Sequence, residues 1–73
     1  MVGIEDFFMK LRVNGEVIET ASATMLQLLQ EKGIKPERVC VELNLKVLRR
    51  IDFRLHPLQE GDIVEIVNFV GGG

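Results

Sequence analysis

Residues 63–70 read I-V-E-I-V-N-F-V, an almost unbroken apolar run close to the end of a 73-residue chain. Such a run predicts a strand in the middle of a sheet, covered on much of both faces. A central strand made last has to pair with one made early, and the natural neighbour is the first. With 73 residues there is room for one domain, and a single small core leaves only a few kcal/mol of net stability. A buried catalytic cavity does not fit beside such a core. Hydrophobic residues at 47% and charged residues at 27% are globular proportions, and no apolar run approaches the ~18 residues that a membrane-spanning helix requires.

The rest of the chain supplies partners for that strand. Between residues 8 and 13, Met9, Leu11 and Val13 alternate with Lys10 and Arg12, the two-residue period of a half-buried strand. Asn14-Gly15 then predicts a type I′ hairpin turn, because both residues tolerate positive φ, and a second strand follows over residues 16–20. Thr24 and Gln27 have the spacing of a helix-capping box, so a helix starts near Met25. Met25, Leu26, Leu28 and Leu29 form its apolar stripe, and Gly33 stands where a left-handed cap ends it. Two turns of helix do not persist alone in water, so these leucines must pack on a sheet.

Past the break at Pro36, Val39, Val41 and Leu43 alternate with Cys40, Glu42 and Asn44, a third strand. Asn44-Leu45 turns the chain into a short fourth strand over residues 46–48. Residues 49–57 have no period; they are expected to form turns or a single helical turn, with Ile51, Phe53 and Leu55 plugging the end of the sheet. Residues 59–62, Q-E-G-D, read as a turn before the last strand. The resulting order is β-β-α-β-β-β, with a right-handed crossover through the helix between the second and third strands.

Several chemistries are set aside on composition. The net charge of -2, without a basic stripe and without Trp or Tyr for base stacking, argues against nucleic acid as a direct partner. One cysteine allows no internal disulfide, and the N-terminus has no signal-peptide pattern, so the expected compartment is the cytoplasm. Cys40 lies in an alternating strand without a basic sequence neighbour to activate it, the pattern of an ordinary, partly covered cysteine. His56 has no companion ligand for a metal and is assigned to packing or a turn hydrogen bond. Ser22, His56 and Asp52 can be written as a triad, but no nucleophile elbow supports it. Arg49-Arg50 reads as a solvated pair that can also steer a partner.

Taken in order, Val13-Asn14-Gly15, Thr24 with Leu28-Leu29, residues 41–44 (V-E-L-N), Leu58 with Glu60-Gly61-Asp62, and the ending I-V-E-I-V-N-F-V-G-G-G carry a resemblance that covers residues 9–73. The chain resembles the small sulfur carriers of the ThiS/MoaD ubiquitin-like superfamily, most closely the ThiS family of thiamine biosynthesis. Two departures stand out. Family members commonly begin near Met9, which makes residues 1–8 an N-terminal extension, and they usually place a small turn residue where this chain has Leu45.

This resemblance implies an α+β, β-grasp fold over residues 9–70: a mixed sheet of about five strands, one main helix on one face, and a flexible tail of Gly71, Gly72 and Gly73. It also implies a protein that is a substrate rather than an enzyme, with no catalytic residue, metal or stably bound cofactor of its own. In that role an E1-like, ThiF-like adenylyltransferase uses ATP-Mg to adenylate the carboxylate of Gly73. A sulfur donor such as a cysteine desulfurase converts it to a thiocarboxylate, which delivers sulfur to thiazole synthase. The physical need is clear: a terminal carboxyl titrates near ~3.5 and is an unreactive anion at neutral pH. Gly71 and Gly72 supply reach and clearance, since a Cβ would restrict the backbone and obstruct close approach. Two other readings share the fold: a MoaD-like subunit of molybdopterin synthase or a carrier for another pathway, and a ubiquitin-like interaction module or protein modifier. In all of them a single helix leaves one sheet face to solvent, where an apolar patch marks a docking surface; the nearly continuous last strand does not say which of its residues face that way.

Overall fold

The computed structural model describes residues 8–69. The expected extension therefore falls almost wholly outside the described residues, as do Gly71, Gly72 and Gly73.

Five strands form one mixed sheet in the order β2-β1-β5-β3-β4. They are β1 (Met9–Val13), β2 (Glu16–Thr20), β3 (Val39–Leu43), β4 (Lys46–Leu48) and β5 (Ile63–Asn68), with α1 (Met25–Glu31) in the connection between β2 and β3. The strand made last is the central one. It runs parallel to β1, with Arg12 opposite Ile63, and antiparallel to β3, with Val41 opposite Ile66. Two hairpins, β1-β2 and β3-β4, thus flank β5.

The local signals act as their chemistry requires. Asn14 and Gly15 both have positive φ, 49° and 86°, closing the first hairpin as a type I′ turn. The Thr24 hydroxyl accepts from the Gln27 amide at 3.3 Å. The return arm of the cap is displaced by one residue: Gln27 Oε1 accepts from the Ala23 amide at 2.7 Å, ahead of the cap residue itself. At the other end Gly33 adopts φ 71°, and its amide reaches the Gln30 carbonyl at 3.0 Å. A single helical turn, Arg50–Asp52, stands in the aperiodic stretch.

One core lies between α1 and the sheet. Met25, Leu28 and Leu29 descend from the helix onto Leu11, Val13, Val41, Leu43, Val64 and Ile66, with Val39, Phe53 and Leu58 closing the ends. Leu26 packs at the margin, half-buried.

Three expectations are corrected. Of the three residues proposed to plug the sheet, only Phe53 is buried; Ile51 and Leu55 are 72% and 76% exposed. A tight 3-10 turn rotates neighbouring side chains too far apart for all three to share one face. β5 is central but covered on one face only: Val64 and Ile66 are buried while Ile63, Glu65 and Val67 are exposed. Its apolar run therefore combines a core face with an apolar solvent face. Cys40, expected to be partly covered, is exposed on that same open face.

Candidate functional site

Strand β5 is the element on which the site is built, because the chain passes from it through Phe69 directly into V-G-G-G. Its backbone is held from both sides by two asparagines in equivalent turns. On the β1 side, the Asn14 amide donates to the Val64 carbonyl at 2.9 Å. The Asn14 side chain then continues the ladder, Oδ1 accepting from the Ile66 amide at 2.7 Å and Nδ2 donating to the Ile66 carbonyl at 3.2 Å.

On the β3 side, the Asn44 amide donates to the Ile63 carbonyl at 2.7 Å and Asn44 Oδ1 accepts from the Ile63 amide at 2.9 Å. Asn44 Nδ2 donates to Asp62 Oδ1 at 3.0 Å. Asp62 is buried, and its second oxygen accepts from the Gln59 amide at 2.8 Å, fixing the turn that launches β5. Gly61 and Glu60 complete this turn against the edge of β1: the Gly61 amide donates to the Lys10 carbonyl, and Glu60 Oε1 accepts from the Lys10 amide, each at 2.8 Å. The Asn14, Asn44 and Glu60-Gly61-Asp62 motifs thus converge on one task, fixing the strand that precedes the glycines. Both asparagines sit in the left-handed region, which brings their short amides back along the strand; Asn is among the few side chains that tolerate it.

Beyond Asn68, the Phe69 amide donates to the Arg38 carbonyl at 2.8 Å, extending the β3 side of the ladder. Phe69 itself is half-exposed. The open face of the sheet carries Ile63, Val67 and Phe69 from the centre and Val47 and Val17 from the edges, with Cys40 paired to Val67. Interspersed charges are Lys10, Arg12, Glu42 and Glu65. An exposed apolar centre with a charged surround is the composition of a protein-docking surface. Sequence reasoning left these residues unnamed, although a signal was present. Glu65 is the one charge in the run, and placing it toward solvent sets the phase that turns Ile63, Val67 and Phe69 outward.

The other candidates are not brought together. Ser22 Oγ donates to Glu31 at 2.7 Å, Asp52 accepts from Arg49 at 3.2 Å, and no hydrogen bond links the side chains of Ser22, His56 and Asp52. The His56 backbone caps local turns, its amide donating to the Asp52 carbonyl and its carbonyl accepting from Met25. Among the described residues no cluster of His, Cys, Asp and Glu is arranged to hold a metal.

A second cluster went unread in the sequence. Glu31, at the end of α1, accepts from the hydroxyls of Thr20 and Ser22 and so ties the helix to the end of β2. These bonds, that from Thr20 first, hold its carboxyl below the ordinary value, with the Lys32 charge assisting and slight desolvation opposing. Thr20 is fully buried and also accepts from the Ser22 amide.

The sheet order, the parallel pairing of first and last strands and the single helix on one face define a ubiquitin-like β-grasp domain with its last strand fixed at the centre. The ThiS family model matches residues 11–73, and the chain belongs to that family. A sulfur carrier protein ThiS of Thermus thermophilus is 33% identical over 61 residues, covering 84% of this chain and 95% of that one. The crystal structure of thiamine biosynthesis protein ThiS from Geobacter metallireducens superposes with a TM-score of 0.75 at 38% identity, over 89% of this chain and all of that chain. A thiazole synthase of Magnetococcus marinus is 42% identical over 66 residues, and one of Paramagnetospirillum magneticum 41%. The match covers 89% of this chain, but the chain spans only a fifth of the length of those two proteins. Among the described residues no helix is long and apolar enough to cross a membrane.

Proposed function

We propose that the protein carries sulfur for thiamine biosynthesis on the carboxylate of Gly73 and is itself a substrate, not a catalyst. The observation that carries this reading is the family match, which runs from the first strand through the terminal glycines. Because those glycines follow a strand clamped by Asn14 and Asn44, a rigid domain presents a terminus without side chains, the form in which a peptide end enters another protein's active site.

In this reading an E1-like adenylyltransferase supplies the chemistry. The Gly73 carboxylate attacks the α-phosphorus of ATP-Mg, releasing pyrophosphate and creating an acyl-adenylate. The terminal sulfur of a persulfide, formed on a donor such as a cysteine desulfurase, then displaces AMP to give an acyl disulfide. A thiol reductant cleaves its S–S bond, leaving the thiocarboxylate on Gly73 and a disulfide on the donor side. The open face, with Val67 and Phe69 nearest the glycines, is the surface by which such enzymes grip the domain. All these steps are placed in the cytoplasm.

Thiazole synthase is the acceptor favoured over molybdopterin synthesis. Two proteins named thiazole synthase contain a segment more than 40% identical to this chain, so carrier-like and synthase sequences occur together in one polypeptide there.

Intact mass spectrometry after incubation with the adenylyltransferase, ATP-Mg and a sulfur donor tests the reading, beside a variant lacking Gly73. A gain equal to one oxygen exchanged for sulfur, located on Gly73 and missing from the truncated chain, is the expected result. If no active adenylyltransferase of this class modifies the full-length chain, the carrier assignment is wrong and the inert interaction module takes its place.

A further inference from the structure

We infer that a basic surface formed by Lys35, Arg38 and Arg50 docks against an acidic surface of the adenylyltransferase that activates the glycine terminus; the inference rests on the carrier reading above. Charge in this acidic protein is strongly segregated. Seven of nine Lys and Arg lie between residues 32 and 54, alongside only three of eleven Asp and Glu. That segment therefore carries positive charge in a chain whose net charge is -2.

The fold gathers part of that charge at one end of the sheet. Lys35 and Arg38 line a shallow depression with Gly33, Ile34 and Asn68. Arg50 is drawn to the same place, its Nη2 donating to the Glu37 carbonyl at 3.4 Å. The Arg38 carbonyl holds the Phe69 amide, so these cations border the last described residue before V-G-G-G. Among the described residues the one ion pair is Arg49 with Asp52, and none of the three has a carboxylate partner.

Together with half-exposed Phe69 and Val67, the arrangement is an apolar centre with a cationic rim on one side. Acidic protein surface is the complement that such a rim selects, through faster encounter and correct register. Because the rim adjoins Phe69, from which the chain continues into V-G-G-G, steering through it favours delivery of the terminus and not merely of the domain.

The test is steady-state adenylation, read as pyrophosphate release, with wild type, a Lys35→Glu/Arg38→Glu variant, a milder Lys35→Gln/Arg38→Gln variant, and Lys46→Glu as a control at the opposite end of the sheet. Substituting Arg38 leaves its carbonyl bond to Phe69 in place, and melting curves verify the fold. The expected result is a KM raised about tenfold or more by the double reversal at low ionic strength, with kcat nearly unchanged. The neutral variant falls between, Lys46→Glu matches wild type, and the differences fade at ~0.5 M salt, where screening is nearly complete. If wild type is adenylated and both double variants keep its KM, or if Lys46→Glu is equally impaired, the rim has no docking role and the carrier reading stands. If wild type is not adenylated by any enzyme of this class, both fall together.

Discussion

The side-chain amide of Asn14 pairs with both backbone groups of Ile66, 52 residues away in the chain, at 2.7 and 3.2 Å. One side chain thus substitutes for a strand residue in the parallel ladder between β1 and the strand that carries the terminus. Replacing it with Ala leaves two partly buried backbone groups unmatched and forces a Cβ residue with poorer tolerance into φ 49°. A loss of about 2 kcal/mol is expected by chemical denaturation. Asn14→Gly, which relieves the turn but removes the clamp, isolates the hydrogen-bond share and should still lose about 1 kcal/mol.

Leu45 occupies φ 73° with its side chain 85% exposed. A leucine gains no burial there and bears the strain of left-handed backbone, of order 1 kcal/mol. Leu45→Gly should therefore raise stability by a few tenths to about 1 kcal/mol, the strain relieved exceeding the extra flexibility of the unfolded chain. Differential scanning calorimetry checks it, and a lower Tm would show that the leucine is held by something other than turn geometry.

Glu31 links stability to pH. Its folded-state carboxyl lies below the ordinary value, so the ionised form is the one stabilised by Thr20 and Ser22. The contribution is fully present above the unfolded value, ~4.3 for glutamate, and is lost as pH falls through the lower folded value. Urea midpoints measured from pH 7 to pH 3 should fall less steeply for Glu31→Gln than for wild type, the two curves converging at the acid end. Parallel curves would mean that the hydroxyl contacts do not persist in solution.

Phe53 and Ile51 lie two residues apart with opposite environments, 2% and 72% exposed. Phe53→Ala should cost about 3–5 kcal/mol, enough to unfold much of a domain this small, while Ile51→Ala should change stability by no more than about 0.5 kcal/mol. Thermal melts of the two variants side by side measure this contrast.

Val67 is 60% exposed on the central strand. Val67→Lys should leave the melting temperature close to wild type while placing a charge at the middle of the docking face, raising KM for adenylation about tenfold or more. An unchanged KM would move the docking surface elsewhere on the domain.

Much of the architecture was legible in the sequence because its signals are local. Asn14-Gly15 required a type I′ turn wherever it stood, Thr24 and Gly33 marked the ends of α1, and the alternation of residues 39–43 fixed a strand with Val39, Val41 and Leu43 inward. Even the central place of β5 followed from the density of its apolar residues. Periodicity reports which residues prefer burial, and for residues 39–43 preference and outcome agree.

The tertiary structure alone decided where preference could not be satisfied for every residue. One seven-residue helix covers one face of five strands, so half of β5's apolar residues remain outside and become an open face containing Cys40, Val67 and Phe69. The same limit left Ile51 and Leu55 exposed, since only Phe53 reaches the core from its turn. Contacts between distant positions were equally invisible: Asn14 with Ile66, Asn44 with Asp62 and Ile63, and Glu31 with Thr20 depend on a side chain meeting a backbone or hydroxyl that only the completed sheet brings near. Sequence by itself determined the elements and the glycine ending; burial area too small for all its apolar residues, and hydrogen bonds closed across the folded sheet, determined which residues hold that ending and which stand free to meet a partner.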